Sequence, residues 1–510
     1  MAMHGLLSNA NRPRPKLTVA VVFLGAILST LQGRMFSVAL PDLRGQFGLD
    51  LIEAAWLSTV LNGAQIVSMT LVPWLASVVG SMRLLVFPSL VLASSALVLP
   101  LFVHNYPTLH FLHGMMGLCL GVYPSLTISL ALGHTHPRLT MLVLAAYSLR
   151  VSAGLDGGVG ASGILLEDLN WHSIYWASVA IAPLIAAIAW KAIPLSQIDW
   201  QKLRQADTGG MAIFCGGLVL FYTGIESGER LGWADSGLVM AALAGGTLLL
   251  TATILRALRW PQAFGSPAGF HNRNMVVALM ISSLFGMLAS PNLVLIPSFL
   301  AQMGDLKPLQ TGTANMVSLL AYVGFTPLAM YVARRIEPRL LVMLGASIIG
   351  VAALLGTHIS NDWRLDQFLS LLITQAAGEC FFLLGSLVTF LTNGKPQLGL
   401  QFAAYLGIVR VITPAIAATF MSHWLRVTGD NSYASLSAFV PSGEPNVLLR
   451  AETGLNGIAG VLSRESHVIA QISGYNLVFW CSVLAVSLAM LLRPSPPNGI
   501  APPLLPAVHG

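Results

Sequence analysis

Six ionisable side chains stand inside runs of otherwise apolar residues: Arg34, His113, Arg150, Asp156, Glu379 and Arg410. A charge at bilayer depth costs several kcal/mol unless it is paired or wetted, so each is a candidate for holding a polar ligand or moving an ion. Arg150 and Arg410 occupy similar contexts, since Ala145-Ala146-Tyr147 precedes the first and Ala403-Ala404-Tyr405 the second. Two arginines from matching helices could clamp an anion across a cavity. Equally, each could bond carbonyls or a carboxylate in its own half and lock that bundle.

The carboxylates raise the question of protons. Asp156 cannot share a helix face with Arg150: six residues turn about 600°, or about 120° off, and rise about 9 Å. Its partner must come from another helix, and Arg34 lies at a similar depth. The pair would be structural or gating, or Asp156 would take and release a coupling proton as Arg34 approaches and withdraws. Glu379 is either one end of a fixed salt bridge or a second proton carrier. His113 could titrate near neutral pH or sit satisfied in a core. Gln32, Asn62, Gln65, Asn315 and Gln375 could complete a substrate cavity or serve as interhelical glue. Tyr123, Trp176 and Tyr222 suit packing as well as site walls.

These residues need membrane helices to hold them. Of 510 residues, 55% are hydrophobic and 9% charged, against roughly 25% charged in soluble domains. Lipid must therefore solvate most of the chain. Fourteen apolar runs approach the ~20 residues that a spanning helix needs, and they lack the alternation of barrel strands. The seventh is read over 210–225 and the thirteenth over 402–424. The polar stretch 426–467 is expected to lie outside the membrane. Cys119, Cys215, Cys380 and Cys481 fall within apolar runs without ligand spacing and read as small packing residues. No metal-ligand cluster, phosphate loop or nucleophile elbow is legible, so no cofactor and no enzymatic activity is expected.

The helices repeat. Val38-Ala39-Leu40-Pro41, then Gln46 and Gly48, recurs as Val294-Leu295-Ile296-Pro297, then Gln302 and Gly304. Arg83-Leu84-Leu85-Val86 recurs as Arg339-Leu340-Leu341-Val342, and 297 − 41 and 339 − 83 both equal 256. Six helices with their loops occupy fewer residues than that, so a two-helix insertion separates two six-helix units. The expected organisation is a cytoplasmic tail (1–16), a first six-helix bundle (17–196), a linker with the inserted pair (197–258), a second bundle (259–493) and a disordered proline-rich tail (494–510). Parallel repeats are a transporter signature, with the substrate between the halves. The inserted pair is expected at the periphery. Gly154, Gly158 and Ser162, four apart, form a small-residue face for helix packing or for a seam between the halves. Net charge is +6. Arg12, Arg14, Lys16, Arg256, Arg259, Arg273, Arg334, Arg335 and Arg339 cluster in loops on one side, as the positive-inside rule expects of a multi-pass inner-membrane protein with both termini in the cytoplasm. That pattern argues for a lipid bilayer partner and against nucleic acid.

The chain resembles the major facilitator superfamily, and within it the 14-helix drug:proton antiporters of the EmrB type. Leu31-Gln32-Gly33-Arg34-Met35-Phe36-Ser37-Val38-Ala39-Leu40-Pro41 is similar to that family's L-D-x-T-I-V-N-V-A-L-P. Gly228-Glu229-Arg230-Leu231-Gly232-Trp233 resembles its loop between the inserted helices, Phe270-His271-Asn272-Arg273-Asn274 its F-x-x-R-N, and Arg410 an arginine of helix thirteen. The resemblance implies an all-α polytopic major facilitator fold of 14 transmembrane helices (6 + 2 + 6), with proton-coupled export of small molecules by alternating access. In Gram-negative cells it also brings a periplasmic adaptor into view as a partner. The departures matter. Gln32 stands where the family carries an aspartate and His113 where it carries an arginine. Gly158-Val159-Gly160-Ala161-Ser162-Gly163 lacks the antiporter motif's proline. With three arginines against two carboxylates in the membrane, the substrate is expected to be drug-like and neutral or anionic. Alternatives of the same fold are an uptake symporter or uniporter, or a non-transporting sensor or assembly partner.

Overall fold

The computed structural model describes residues 14–102, 105–165, 169–260, 263–264, 272–303, 308–393, 399–438 and 455–495. The expected disordered tail falls, apart from its first two residues, outside the described residues, as does most of the amino-terminal tail. Fourteen long helices make up the described fold. The first six are α1 (Pro15–Phe47), α2 (Leu51–Val79), α3 (Ser81–Phe102), α4 (Tyr106–Gly133), α5 (Thr140–Ile164) and α6 (Ser173–Ala192). The inserted pair is α7 (Thr208–Leu231) and α8 (Gly237–Arg259). The last six are α9 (Arg273–Met303), α10 (Pro308–Ala333), α11 (Pro338–Gly356), α12 (Leu365–Asn393), α13 (Gly399–Ala438) and α14 (Leu455–Met490). All but α5 are apolar and long enough by composition to cross a membrane. α5 carries Arg150, Asp156 and a run of glycines, as a helix lining a polar interior would.

Local sequence sets the ends. α1 starts with Pro15 in its first turn and stops at Gly48, whose φ of 62° suits glycine. Asp50 then caps α2 in a reciprocal capping box with Glu53, so a three-residue turn joins the two spans. Gly80 ends α2 at φ 84°, and a Cβ there would collide with Ser196 Oγ. Beside it, Arg83 donates to Val79 O and Ser196 O, each at 2.7 Å, fastening the α2–α3 turn to the linker after α6. Asp207 caps α7 and pairs with Arg256 of α8 at 2.6 Å. Partial burial opposes charge on Asp207, but donors from Gly210, Phe264 and Arg256 hold its carboxyl below the usual range.

Within the first half α1 packs on α5 and α6, α2 on α4, and α3 on α6. In the second half α11 packs on α12 and α14, and α13 on α9 and α14. The halves meet where α5 runs along α10 and where α2 faces α13. Small residues bring backbones together without a hydrophobic gradient to drive them. On α5, Gly154 and Gly158 face Thr30 and Arg34 of α1, so this stripe packs within the first half. The seam to the second half is the neighbouring face, where Gly157 meets Leu319 and Gly160 meets Met316 and Gly312. The cysteines are free, three of them buried and Cys481 half-buried.

Three spans differ from expectation. α13 continues to Ala438 and is 40 residues long, about 60 Å of helix against a hydrocarbon core of ~30 Å. α14 begins at Leu455. Much of the polar stretch 426–467 is therefore helical, extending both spans beyond the bilayer. α7 runs to Leu231 rather than ending near 225, so Glu226, Glu229 and Arg230 lie on the helix. The inserted pair is also not wholly peripheral. α8 is largely exposed, whereas α7 packs on α2 and α13 as well as on α8.

At Gly345, a Cβ would stand 2.3 Å from the Phe382 backbone nitrogen, whereas at Gly324 it would meet nothing within 4 Å. Gly345→Ala should therefore cost about 1–3 kcal/mol and lower the unfolding temperature of the purified protein in detergent. Gly324→Ala should leave that temperature unchanged or raise it.

Candidate functional site

A cavity of ≈ 360 Å³ lies between the halves, within the ~300–1,000 Å³ typical of small-molecule sites. Its walls are α1, α2 and α5 on one side and α9 and α13 on the other, with α7 as a further wall. The lining extends from Leu40 and Ala55, near the α1–α2 turn, to Met69 and Pro124 near mid-membrane. An apolar cluster of Ile66, Met69, Leu218, Tyr222, Ile408 and Ile412 closes the deep end.

Among the described residues the charged lining groups are Arg34, Arg150 and Glu226. Arg150 is 5% exposed and makes no ion pair among the described residues. Its Nη1 donates to Thr30 Oγ1 at 2.9 Å and Ala26 O at 3.3 Å, and the guanidinium stacks over Tyr147. Its Nε is buried without an acceptor. Arg34 donates from Nη2 to Leu293 O across the interface at 3.3 Å, and its Nε is likewise unmatched. That carbonyl is available because α9 makes a π turn over Pro291–Leu295, a break that frees backbone acceptors and often marks functional sites.

Behind Arg34 lies a second, fully buried polar group that joins the halves. Asp156 accepts from Ser152 Oγ at 2.7 Å and from Asn315 Nδ2 of the second half at 3.3 Å. Asn315 also reaches Asn292 O at 3.4 Å. Asn292 donates to Ser318 Oγ at 2.9 Å and to Glu379 Oε1 at 3.5 Å. Gln375 donates to the same Glu379 oxygen at 2.8 Å and to Leu288 O at 2.7 Å. Two carboxylates, one from each half, are thus joined through the Asn315 side chain, the Asn292 backbone carbonyl that it also reaches, and the Asn292 side chain.

The predicted residues divide three ways. Arg34, Arg150, Asn62 and Gln65 line the cavity, with Asn62 donating to Tyr222 Oη at 3.1 Å and Gln65 to Ser29 Oγ at 3.0 Å. Asp156, Glu379, Gln375 and Asn315 form the bridge, where Asp156 and Arg34 are not in ion-pair contact. Gln32 and His113 belong to neither. Gln32 joins α1 to α6 through Ile174 O and Ser178 Oγ. His113 is buried against Phe36 and takes Leu109 O and Tyr175 Oη, a satisfied core histidine. Both replace charged residues of the resembled motifs with groups that a closed bundle satisfies internally. The side chain of Arg410 lies outside the described residues. Tyr123 is buried on Ser89, and Trp176 is exposed on the outside of the bundle.

Sequence reading missed Glu226 and Asn292. Glu226 fell one residue beyond the predicted end of α7. Asn292 sits in a π turn that no spacing rule reveals, although Pro291 in mid-span marks an irregularity.

The model of the Major Facilitator Superfamily matches residues 22–418. The chain belongs to the Major Facilitator Superfamily. Multidrug export protein EmrB of Escherichia coli (strain K12) is 22% identical over 95% of this chain and 96% of its own length. Riboflavin transporter RibZ of Clostridioides difficile (strain 630) is 22% identical over 80% and 87%. Among solved structures, the human organic anion transporter MFSD10 (TETRAN) superposes at a TM-score of 0.59 with 14% identity, covering 94% of this chain and 100% of that one. The proton:xylose symporter XylE does so at 0.56 with 12% identity, covering 93% and 94%. These facilitator folds match the arrangement of two six-helix bundles about a central cavity.

The seam between α5 and α10 gives a direct check on the contact between the halves. A Cβ on Gly312 would stand 3.1 Å from Gly160 Cα, and one on Gly160 would stand 2.1 Å from Met316 Cε, so this seam has no room for a side chain. Gly160→Val should stop transport while the protein still reaches the membrane. Gly324→Val, where a Cβ meets nothing within 4 Å, should transport at close to the wild-type rate.

Proposed function

We propose that this protein is a secondary transporter of the inner membrane that exports a drug-like, neutral or anionic small molecule in exchange for protons, by alternating access. Near full-length similarity to multidrug export proteins supports export of drugs by this chain. The face bearing Arg14, Lys16, Arg256, Arg259, Arg334, Arg335 and Arg339 is assigned to the cytoplasm. Both termini then lie inside, and the cavity extends toward the outer surface. A periplasmic adaptor would meet the protein at the outer ends of α13 and α14. Arg150 supplies the cavity's site for an anionic group.

The observation that carries the coupling is the bridge between Asp156 and Glu379. Glu379 is 2% exposed and has amide donors but no cation within ion-pair reach among the described residues. A lone buried carboxylate charge is expensive, which is why Glu379 is the group assigned here to carry the coupling proton. Asp156 differs, with Arg34 nearby and two hydrogen-bond donors. Rocking the halves apart breaks Asn315–Asp156 and Arg34–Leu293 together. That exposes Asp156 and frees Arg34, which changes how readily the pair of carboxylates holds its proton.

The reading is tested in proteoliposomes with an imposed pH gradient and a panel of neutral, anionic and cationic drugs. Inward proton flow should accelerate export by the wild type. Glu379→Gln should abolish that acceleration while leaving gradient-free counterflow intact. Indifference of the wild type to the gradient, or full acceleration in both Glu379→Gln and Asp156→Asn, would overturn the coupling.

A further inference from the structure

The inserted helix α7 places Tyr222 and Glu226 in the cavity wall. Glu226 accepts from Arg230 Nη2 at 2.8 Å and, through a short hydrogen bond, from Thr59 Oγ1 of α2. Both bonds use Oε2, which leaves Oε1 without a donor among the described residues. On α1 and α5 the situation is reversed in sign. The bonds of Arg150 use Nη1 and those of Arg34 use Nη2, so Arg150 Nη2 and Arg34 Nη1 are without acceptors among the described residues. The described cavity therefore offers free cationic donors at one wall and, at another, the second oxygen of a carboxylate whose first oxygen is paired with Arg230. Between them lie neutral polar groups, Asn62, Gln65 and Ser29, and apolar surface from Leu155, Phe285 and Leu293.

We propose that the inserted helix makes this cavity bipolar, and that its preferred cargo is a zwitterion: an apolar body with an anionic group for Arg150 and Arg34 and an ammonium group for Glu226. In this role Glu226 and Tyr222 are specificity-determining residues. A purely anionic molecule would leave the Glu226 oxygen facing like charge, and a purely cationic one would meet two guanidinium groups. Charge-assisted bonds are the strong ones in a desolvated site, and an unmatched buried partner costs more than the bond contributes. The dipolar molecule is the one that satisfies both walls while remaining net neutral.

This inference rests on the reading of the cavity as the substrate site, and the test separates the two. The probes are Nα-dansyl-lysine, a zwitterion near neutral pH, its cationic methyl ester and its anionic Nε-acetyl derivative. They share one fluorophore and one lysine skeleton, and each derivative removes one charge by adding a single methyl or acetyl group. Binding to the full-length protein in nanodiscs is followed by dansyl fluorescence. The zwitterion should bind the wild type about tenfold more tightly than either derivative. Glu226→Gln should bring the zwitterion down to the level of the anionic derivative, and Arg150→Ala down to that of the ester. Glu226→Asp, which keeps the charge, should retain the preference and guards against a folding defect. Asp235→Asn, exposed beyond the end of α7 and outside the lining, should leave the ranking unchanged. If Arg150→Ala weakens the anionic probe but Glu226→Gln leaves the wild-type ranking, the cavity is the site and the bipolar assignment is wrong. If neither variant changes any affinity, or the zwitterion does not bind the wild type, both ideas fall.

Discussion

A polar group in the hydrocarbon core has no water to fall back on, so every buried donor and acceptor must be matched by another part of the protein. In this transporter several of those matches cross the boundary between the halves. Asp156 of α5 depends on Asn315 of α10, and Arg34 of α1 depends on a backbone carbonyl of α9. Neither half, separated along this plane, satisfies its own groups. The interface is therefore held in one of a few discrete arrangements, which is what alternating access requires. The glycines of α5 serve the same end: Gly160 lets α10 approach so closely that Asn315 can reach Asp156.

The inserted pair changes the balance of this interface. On its outer half α7 is bonded to both bundles. Glu226 and Arg230 hold Thr59 of α2, while Glu229 takes His423 and Arg426 of α13, each at 2.5 Å, and Trp233 at 3.1 Å. The α2–α13 side of the cavity is thus spanned by a third element, whereas the α5–α10 side is closed by direct contact. Movement at the first side must break or carry these carboxylate contacts. α8, exposed to lipid along much of its length, has no such contacts with either bundle among the described residues and anchors α7 through Asp207 and Arg256.

Much of the fold could be read from the chain because its causes are local. Hydropathy marks the spans, the recurrence of Val38–Pro41 and Arg83 marks the repeat, and the offset of 256 requires the inserted pair. The cavity was less legible because a helical face does not name its neighbour. Gly154 and Gly158 were correctly seen as one stripe, yet the stripe faces α1 and the seam lies one residue over. Gln32 and His113 were drawn toward the cavity by the motifs they interrupt, but Ile174 O, Ser178 and Tyr175 satisfy them inside the first half. Glu226 was lost at a helix boundary, the least certain feature of any sequence reading. Arg34, Arg150, Asp156 and Glu379 were legible because charge in lipid needs a reason, even where the partner could not be named.

The repeat also shows how two copies of one unit come to do different work. In α1 the repeated segment runs through Pro41 as unbroken helix, whereas in α9 its counterpart lies at a π turn that begins at Pro291. That break hands Leu293 O to Arg34 and Asn292 O to Asn315, so the second copy supplies acceptors that the first copy's charge requires. The repeat offset is 256 at Arg83/Arg339 and 260 at Arg150/Arg410, so Glu379 carried back falls between Cys119 and Tyr123, a stretch without a carboxylate. Tyr123 is a buried phenol bonded to Ser89 and pressed against Gly25. The first half thus has a neutral group fixed within its own bundle, and the second has an ionisable one linked to the interface. On the proposed coupling, protonation at Glu379 would act on one half alone. It would bias the contact between the halves without loosening both bundles at once, which a symmetric pair of carboxylates could not do.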